Sequence, residues 1–193
     1  MTSTPAADSR TASVDLALVS ALAALIAVCS ILPAVNVSTF APITLQTFGV
    51  LLAGAVLGAR RGALAVLLWI AVGSAGLPVF ANGKAGLPVL TGPTGGYILG
   101  MVFGAALIGF VAGVLARRGG PNPIVLFAGG LLAVVLIHAA GVVGLHLRAG
   151  LGWPVAAAVD GAFWIGDIIK LVATVLVAAS VHRAFPWLLR SGS

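Results

Sequence analysis

The stretch ITLQTFGVLLAGAVLGARRGALAVLLWIAVGSAGL, residues 43–77, consists of two apolar runs separated by Arg60 and Arg61. A transmembrane helix needs about 20 mostly apolar residues, with a lower limit of roughly 17, and each run reaches or nearly reaches that limit. Arginine is costly inside hydrocarbon, so the pair is expected at the membrane surface. The period-two alternation of membrane β-strands is absent. The stretch therefore predicts a tight hairpin of two membrane helices.

The rest of the chain is as apolar as this hairpin. Of its 193 residues, 61% are hydrophobic and 7% are charged, against roughly 25% charged in an average soluble domain. This composition excludes a soluble globular enzyme, which could not cover its surface with polar groups, and it excludes a disordered chain. A single cysteine, Cys29, excludes a disulfide scaffold. What remains is a polytopic membrane protein.

Six apolar segments are candidate transmembrane helices: residues 14–32, 43–59, 62–77, 95–116, 123–147 and 163–181. They predict an all-α integral membrane protein with a single six-helix transmembrane domain over residues 14–185. Residues 1–13 are expected to form a disordered leader and residues 186–193 a short tail. A cleaved signal peptide is the alternative for the first segment, but acidic residues flank it and a good cleavage site is missing.

Basic residues are distributed unequally between the two sides that six spans would create. Only Lys84 and Arg148 fall on one side, and Lys170 lies within a span. The other side carries seven: Arg10, Arg60, Arg61, Arg117, Arg118, Arg183 and Arg190. The positive-inside rule makes the seven-charge side cytoplasmic, so both termini are predicted inside a cytoplasmic membrane that the chain crosses several times. The net charge of +6 then needs no nucleic-acid partner.

The three connections on the opposite side, residues 33–42, 78–94 and 148–162, are long, rich in Gly and Pro, and nearly uncharged. The middle one is too apolar for a solvated loop and too broken for a long helix. Irregular backbone at membrane depth is tolerated where it is buried in protein or lines a cavity. We expect a re-entrant segment that covers an outward-facing site; a plain surface loop is the alternative.

Polar side chains from three spans are expected to meet beneath that segment. Asp167 and Lys170 lie three residues apart, on one face of the last span. Ionisable residues inside a membrane normally face an interior or a cavity. Tyr97, Thr44 and Gln46 begin two other spans at the same level. Such a convergence is typical of a small-molecule site, although a structural ion pair between Asp167 and Lys170 remains an alternative.

The remaining motifs do not indicate ATP hydrolysis, a metal site or an enzyme. There is no Walker A sequence, so the chain is not expected to hydrolyse ATP by itself. The three histidines are too far apart for a metal pair on one helical turn, and His138 is interpreted as a satisfied interior residue. No metal or cofactor is expected. An intramembrane enzyme built on Ser74 is a minor alternative, because no histidine is placed to serve it.

The first span carries a small-xxx-small pattern at Ala17 and Ala21. Small residues let helices approach closely in a membrane. The pattern fits packing within the chain and docking of a partner's helices equally well.

Four segments together resemble the BioY family, the biotin-specific substrate-capture components of energy-coupling-factor transporters. They are PITLQ at 42–46, GLPVF at 76–80, GPTGGY at 92–97 and GDIIK at 166–170. The resemblance covers nearly the whole chain and implies six helices around an outward-facing biotin pocket. It implies no cofactor, only the ligand biotin.

The resemblance also implies roles for particular residues. Asp167 and Lys170 match the family's polar biotin contacts, and Asn82 and Lys84 fall in a stretch where the alignment is less certain. The alanine motif at Ala17 and Ala21 would dock a membrane scaffold subunit that couples to two ATPases. Membrane lipid is the remaining expected partner, and a homo-oligomer stays open. The alternative function is an ATP-independent or proton-coupled carrier for biotin or another small solute.

Overall fold

The computed structural model describes residues 6–34, 40, 42–118, 120, 122–185 and 188–189, with backbone only for residues 6–11. Within these ranges the chain forms eight α-helices and one turn of 3-10 helix at Ala81–Gly83. The α-helices are α1 Ala6–Ile31, α2 Gln46–Leu57, α3 Ala59–Ser74, α4 Leu87–Thr91, α5 Gly95–Arg117, α6 Pro123–Ala149, α7 Trp153–Gly161 and α8 Trp164–Ala184. The predicted all-α architecture is confirmed.

Four helices in the described chain are long and apolar enough to cross a membrane: α1 over Ala12–Ile31, α5, α6 and α8. Of the other two predicted spans, the first is shorter than expected, and the second has its expected length but begins at Ala59 instead of residue 62. Helix α2 has 12 residues and α3 has 16, and a 12-residue helix is only about 18 Å long. Residues 42–45 are non-helical, and Pro42, Ile43 and Thr44 line a pocket instead of lengthening α2.

The predicted hairpin of α2 and α3 is confirmed, and it is tighter than a loop. Gly58 alone connects the two helices, with φ at +86°, a conformation that favours glycine. A Cβ on Gly62 would lie 2.5 Å from the Gly54 Cα, so the two helices are in backbone contact. The bundle end that contains Gly58 is called the hairpin end below.

Arg61 corrects an expectation. The sequence suggested a surface anchor, but Arg61 lies in the first turn of α3 and only 3% of it is exposed. Its guanidinium donates to the Leu57 carbonyl at 3.1 Å, to Asp15 at 2.8 Å and to the Leu188 carbonyl. The start of α1 and the chain after α8 therefore both lie at the hairpin end. Its neighbour Arg60 is exposed, as expected of an anchor.

Helix α1 begins at Ala6, eight residues before the predicted start of the span, so part of the expected disordered leader is helical. Alanine and arginine have high helix propensity, which favours continuing the helix past the apolar segment. Residues 1–5, and most of the tail at 186–193, lie outside the described residues. Val19, Ala23 and Ile26 form the buried face of α1, whereas Ala17 and Ala21 are exposed.

Helices α5 and α6 form the most closely packed pair, and glycines permit it. A Cβ on Gly96 would collide with the Ala140 carbonyl, and one on Gly144 would lie 2.8 Å from the Gly96 Cα. Close approach through small residues is the usual way in which membrane helices pack. Helix α5 also packs against α2 and α3, which makes it the centre of the bundle.

The two described connections at the far end of the bundle differ from each other. Residues 78–94 are irregular around short helical turns, as predicted, and Phe80 buries its ring edge-to-face against Trp69 at 5.1 Å. The connection at 148–162 was expected to be irregular, but it contains the nine-residue helix α7. A proline in the first turn and a run of alanines explain that helix.

Candidate small-molecule site

A mostly apolar pocket lies at the end of the bundle opposite the hairpin. The segment before α2, the 78–94 connection, and the first turns of α5 and α8 surround it. Its apolar walls include Ile43, Phe80, Val89, Met101 and Phe163. Its polar lining consists of Thr44, Gln46, Thr47, Lys84, Thr94, Tyr97, Asp167 and Lys170. The five side chains predicted to converge, Thr44, Gln46, Tyr97, Asp167 and Lys170, thus share one pocket.

Asp167 and Lys170 form an ion pair in the pocket wall. The Lys170 Nζ lies 2.7 Å from the Asp167 Oδ1, and the residues are 9% and 5% exposed. The i,i+3 spacing on α8 brings the two side chains together, as the sequence predicted. The Thr47 hydroxyl donates to the Asp167 Oδ2 at 3.4 Å. An ammonium carries three donors and uses one here, so Lys170 keeps donors for a ligand.

Two further ionisable side chains, His138 and Asp160, lie behind this pair, and neither is among the residues predicted for the site. The His138 Nε2 lies 3.1 Å from the Asp167 Oδ2, and its Nδ1 lies 2.7 Å from the Asp160 Oδ1. His138 is 2% exposed and Asp160 is 4% exposed. The expectation that His138 is a satisfied interior residue is confirmed, but its partners are carboxylates next to the pocket.

Asp160 is the centre of this second layer. Its carboxylate also accepts a hydrogen bond from the Tyr97 hydroxyl at 2.7 Å and one from the Trp164 Nε1 at 2.9 Å. Trp164 stacks on His138 with ring centroids 4.6 Å apart. Asp160 thereby connects α5, α6, α7 and α8 at one point. The signal that could have found it is the scarcity of acids, since the chain has four Asp and no Glu.

The remaining predicted residues lie at different distances from the pocket. Thr44 and Gln46 are buried and interact, with 3.4 Å between the Thr44 Oγ1 and the Gln46 Oε1. Lys84 is exposed and lines the pocket mouth. Asn82 is exposed, adopts a left-handed conformation at φ 59°, and lies outside the described pocket lining. The structure therefore does not bring Asn82 to the site.

A buried donor–acceptor pair in an apolar pocket is suited to a neutral, polar-headed small molecule. A family model described as the BioY family matches residues 2–187. The chain belongs to the BioY family. The resemblance found in its sequence motifs is confirmed.

Individual members of the BioY family match this chain almost end to end. The biotin transporter BioY of Rhodobacter capsulatus is 40% identical over 185 residues, which cover 89% of this chain and 95% of the relative. The corresponding transporter of Rhizobium etli is 36% identical over 179 residues, covering 90% and 96%.

A solved structure shares the same fold. The crystal structure of the S-component for biotin from an ECF-type ABC transporter superposes with a TM-score of 0.83 at 27% identity. The match covers 94% of this chain and 95% of that one. The described helices thus follow the fold of a biotin S-component.

Proposed function

We propose that this chain is the biotin-binding S component of an energy-coupling-factor transporter and takes part in biotin uptake. It is a binding and transport subunit, not an enzyme. The observation that carries the proposal is the buried Asp167–Lys170 pair in the wall of an apolar pocket. It occurs in a chain similar to biotin transporters over nine-tenths of its length.

The pocket chemistry matches the parts of biotin. The ureido group has two N–H donors and one acceptor oxygen, and the rest is an apolar body with a tail carboxylate. Asp167 can accept from a ureido N–H, and Lys170 can donate to the ureido oxygen. Thr44 and Gln46 add hydrogen-bonding groups beside them.

The other lining residues suit the remaining parts of the ligand. Phe80 and Val89 contact the apolar body of the ligand. Tyr97 contributes only its ring to this contact, because its hydroxyl already donates to Asp160. Lys84, at the pocket mouth, binds the tail carboxylate. Asn82 is left out of the proposed site.

The proposed topology has six membrane-crossing helices, α1, α2, α3, α5, α6 and α8, with both termini in the cytoplasm and the pocket facing outward. Arg61 supports it, because the start of α1 and the chain after α8 meet at the hairpin end. Arg60 lies at the start of α3, and Arg117 and Arg118 lie at the end of α5. In the proposed topology these helix ends lie on the cytoplasmic side. The host membrane is the cytoplasmic membrane.

The proposed partners are a membrane scaffold subunit and two ATPase subunits. Ala17 and Ala21 support a docking role for α1, because they are exposed instead of packing within the chain. Exposed small residues leave room for a partner helix to approach closely.

Calorimetry with detergent-purified protein tests the function directly. We expect biotin and desthiobiotin, which share the ureido ring, to bind with one site per chain. A biotin analogue whose ureido group is replaced should not bind. Failure of both ureido ligands to bind would contradict the proposal.

Two cellular measurements complete the test. A cytoplasm-active reporter fused after Ser193 is expected to be active, and activity only outside the cell would overturn the topology. Uptake of labelled biotin should require co-expressed scaffold and ATPase subunits. Uptake at the full rate without them would favour the ATP-independent carrier.

A further inference from the structure

The two ring nitrogens of His138 face two different carboxylates. Nδ1 lies 2.7 Å from an Asp160 oxygen and Nε2 lies 3.1 Å from an Asp167 oxygen. An ionised carboxylate only accepts hydrogen bonds, and a neutral imidazole has only one donor. Both bonds form together when both ring nitrogens carry a proton. With both carboxylates ionised, this geometry requires an imidazolium, whereas a neutral ring would require one of the two carboxyl groups to be protonated.

The charges of the four groups then balance. Asp160 and Asp167 contribute two negative charges, and His138 and Lys170 contribute two positive ones. All four residues are at least nine-tenths buried, and an uncompensated charge there is costly. Without the proton on His138, the cluster would carry a net negative charge next to the pocket.

His138 and Asp160 do not line the described part of the pocket, whereas Asp167 and Lys170 do. Asp160 is held by the Tyr97 hydroxyl and the Trp164 indole as well as by His138. Its carboxylate is fixed by these three donors, of which Tyr97 lines the pocket and His138 also contacts Asp167. The His138 ring is thus the described group that hydrogen-bonds to both carboxylates.

We propose that His138 and Asp160 are positioning residues of the biotin site. Doubly protonated His138 keeps Asp167 ionised and oriented as the acceptor for a ureido N–H. Asp160 keeps His138 protonated, so that Lys170 is not drawn away to neutralise a second acid. This inference rests on the proposed biotin-binding function and assigns the source of charge balance within it.

The proposal predicts a charge rescue. In His138→Gln, the amide can still donate to Asp167, but two acids now share one cation. We expect biotin affinity at pH 8.5 to fall by about a hundredfold, since a buried pair has lost a partner. In His138→Gln/Asp160→Asn the excess charge is gone, and affinity should return to within roughly threefold of Asp160→Asn alone. A merely structural role for His138 predicts the opposite, because a second substitution in the cluster should add to the damage.

The pH profile gives a second readout. The titratable groups around position 138 are Tyr97 on α5, Asp160 on α7, and Asp167 and Lys170 on α8. In His138→Gln, uptake of one proton by the cluster restores charge balance, so affinity should rise from pH 8.5 to pH 5.5. The wild type and the double variant should stay nearly flat over this range. A flat profile for His138→Gln would overturn the proposal.

A measurement without ligand separates this inference from the proposed function. Nitrogen-15 spectra of labelled histidine report whether one or both ring nitrogens are protonated, and the His138→Gln spectrum identifies the His138 signals. At pH 8 we expect two protonated nitrogens in the wild type and one in Asp160→Asn. A neutral His138 in the wild type would refute the charge balance even if biotin binds. Failure of the wild type to bind biotin would refute the proposed function. In that case the positioning role would be refuted as well, even if the spectra showed an imidazolium at His138.

Discussion

The bundle buries charge at both ends, and the two clusters are built differently. At the pocket end, Asp167 and Lys170 bind each other through side chains and keep hydrogen-bonding capacity toward a cavity. At the hairpin end, Arg61 directs two of its hydrogen bonds to the backbone carbonyls of Leu57 and Leu188 and one to Asp15. Donors that are used on carbonyls fix helices and leave little for a ligand. Burial of charge therefore does not by itself mark a site; the partners do.

The largest expected effect is at the pocket end. Asp167→Asn or Lys170→Ala removes one partner of a buried pair, a change that typically costs about 3–5 kcal/mol. We expect most of it to appear as lost biotin affinity, measured by calorimetry. Ile169→Ala is the matched control, because Ile169 lies between them on α8 and is 65% exposed. Near-normal affinity with a much lower melting temperature would show that the pair only stabilises the fold. The pocket-end cluster would then have the same role as the hairpin-end cluster.

At the hairpin end the expected effect is on stability alone. Arg61→Gln leaves the Leu188 carbonyl and Asp15 without their donor and should lower the free energy of unfolding by about 2–3 kcal/mol. Biotin affinity should stay unchanged. The exposed neighbour provides the control, since Arg60→Gln removes the same charge without burial. Thermal melts of ligand-free protein beside calorimetry check both parts, and an equal loss of affinity in Arg61→Gln would show that the two ends are coupled.

A third substitution extends the comparison to the bundle surface. Ala17→Leu or Ala21→Leu places a bulky side chain on the exposed face of α1 and should weaken assembly with the scaffold subunit about tenfold, or roughly 1.4 kcal/mol. Biotin binding should be normal. Ala139→Leu, at an exposed position on α6, is the control. Co-purification at the normal ratio would remove the docking role from this face.

The smallest effect is expected at the pocket mouth. Lys84 is exposed, and exposed ion pairs contribute about 0–1 kcal/mol. Lys84→Ala should weaken biotin binding up to about fivefold and leave biotinamide, which lacks the tail charge, unaffected. Competition binding with the two ligands measures the difference. An equal loss for both would show that Lys84 does not face the carboxylate.

Helix periodicity explains what could be predicted from the sequence. The spacing of Asp167 and Lys170 fixes their common face, and the paired arginines fix the hairpin. Asp160 was overlooked because its segment was interpreted as an irregular connection, whereas α7 turns it inward against His138. Arg61 was placed at the surface because hydropathy does not register carbonyls that a neighbouring element supplies. Long-range partners of this kind are set by packing, which local patterns do not contain.

The contact between α5 and α6 has a consequence for the depth of the pocket. Gly96 and Gly144 touch through their backbones, and Tyr97 follows directly in the chain. An added methyl group would separate the helices by an amount comparable to its roughly 1.5 Å bond. Asp160 lies on α7, which packs against α6, so the same displacement would stretch the 2.7 Å hydrogen bond from Tyr97 to Asp160 beyond the normal range. Gly96 and Gly144 thus set the distance between α5 and α6, and this distance determines how far the Tyr97 ring extends into the pocket.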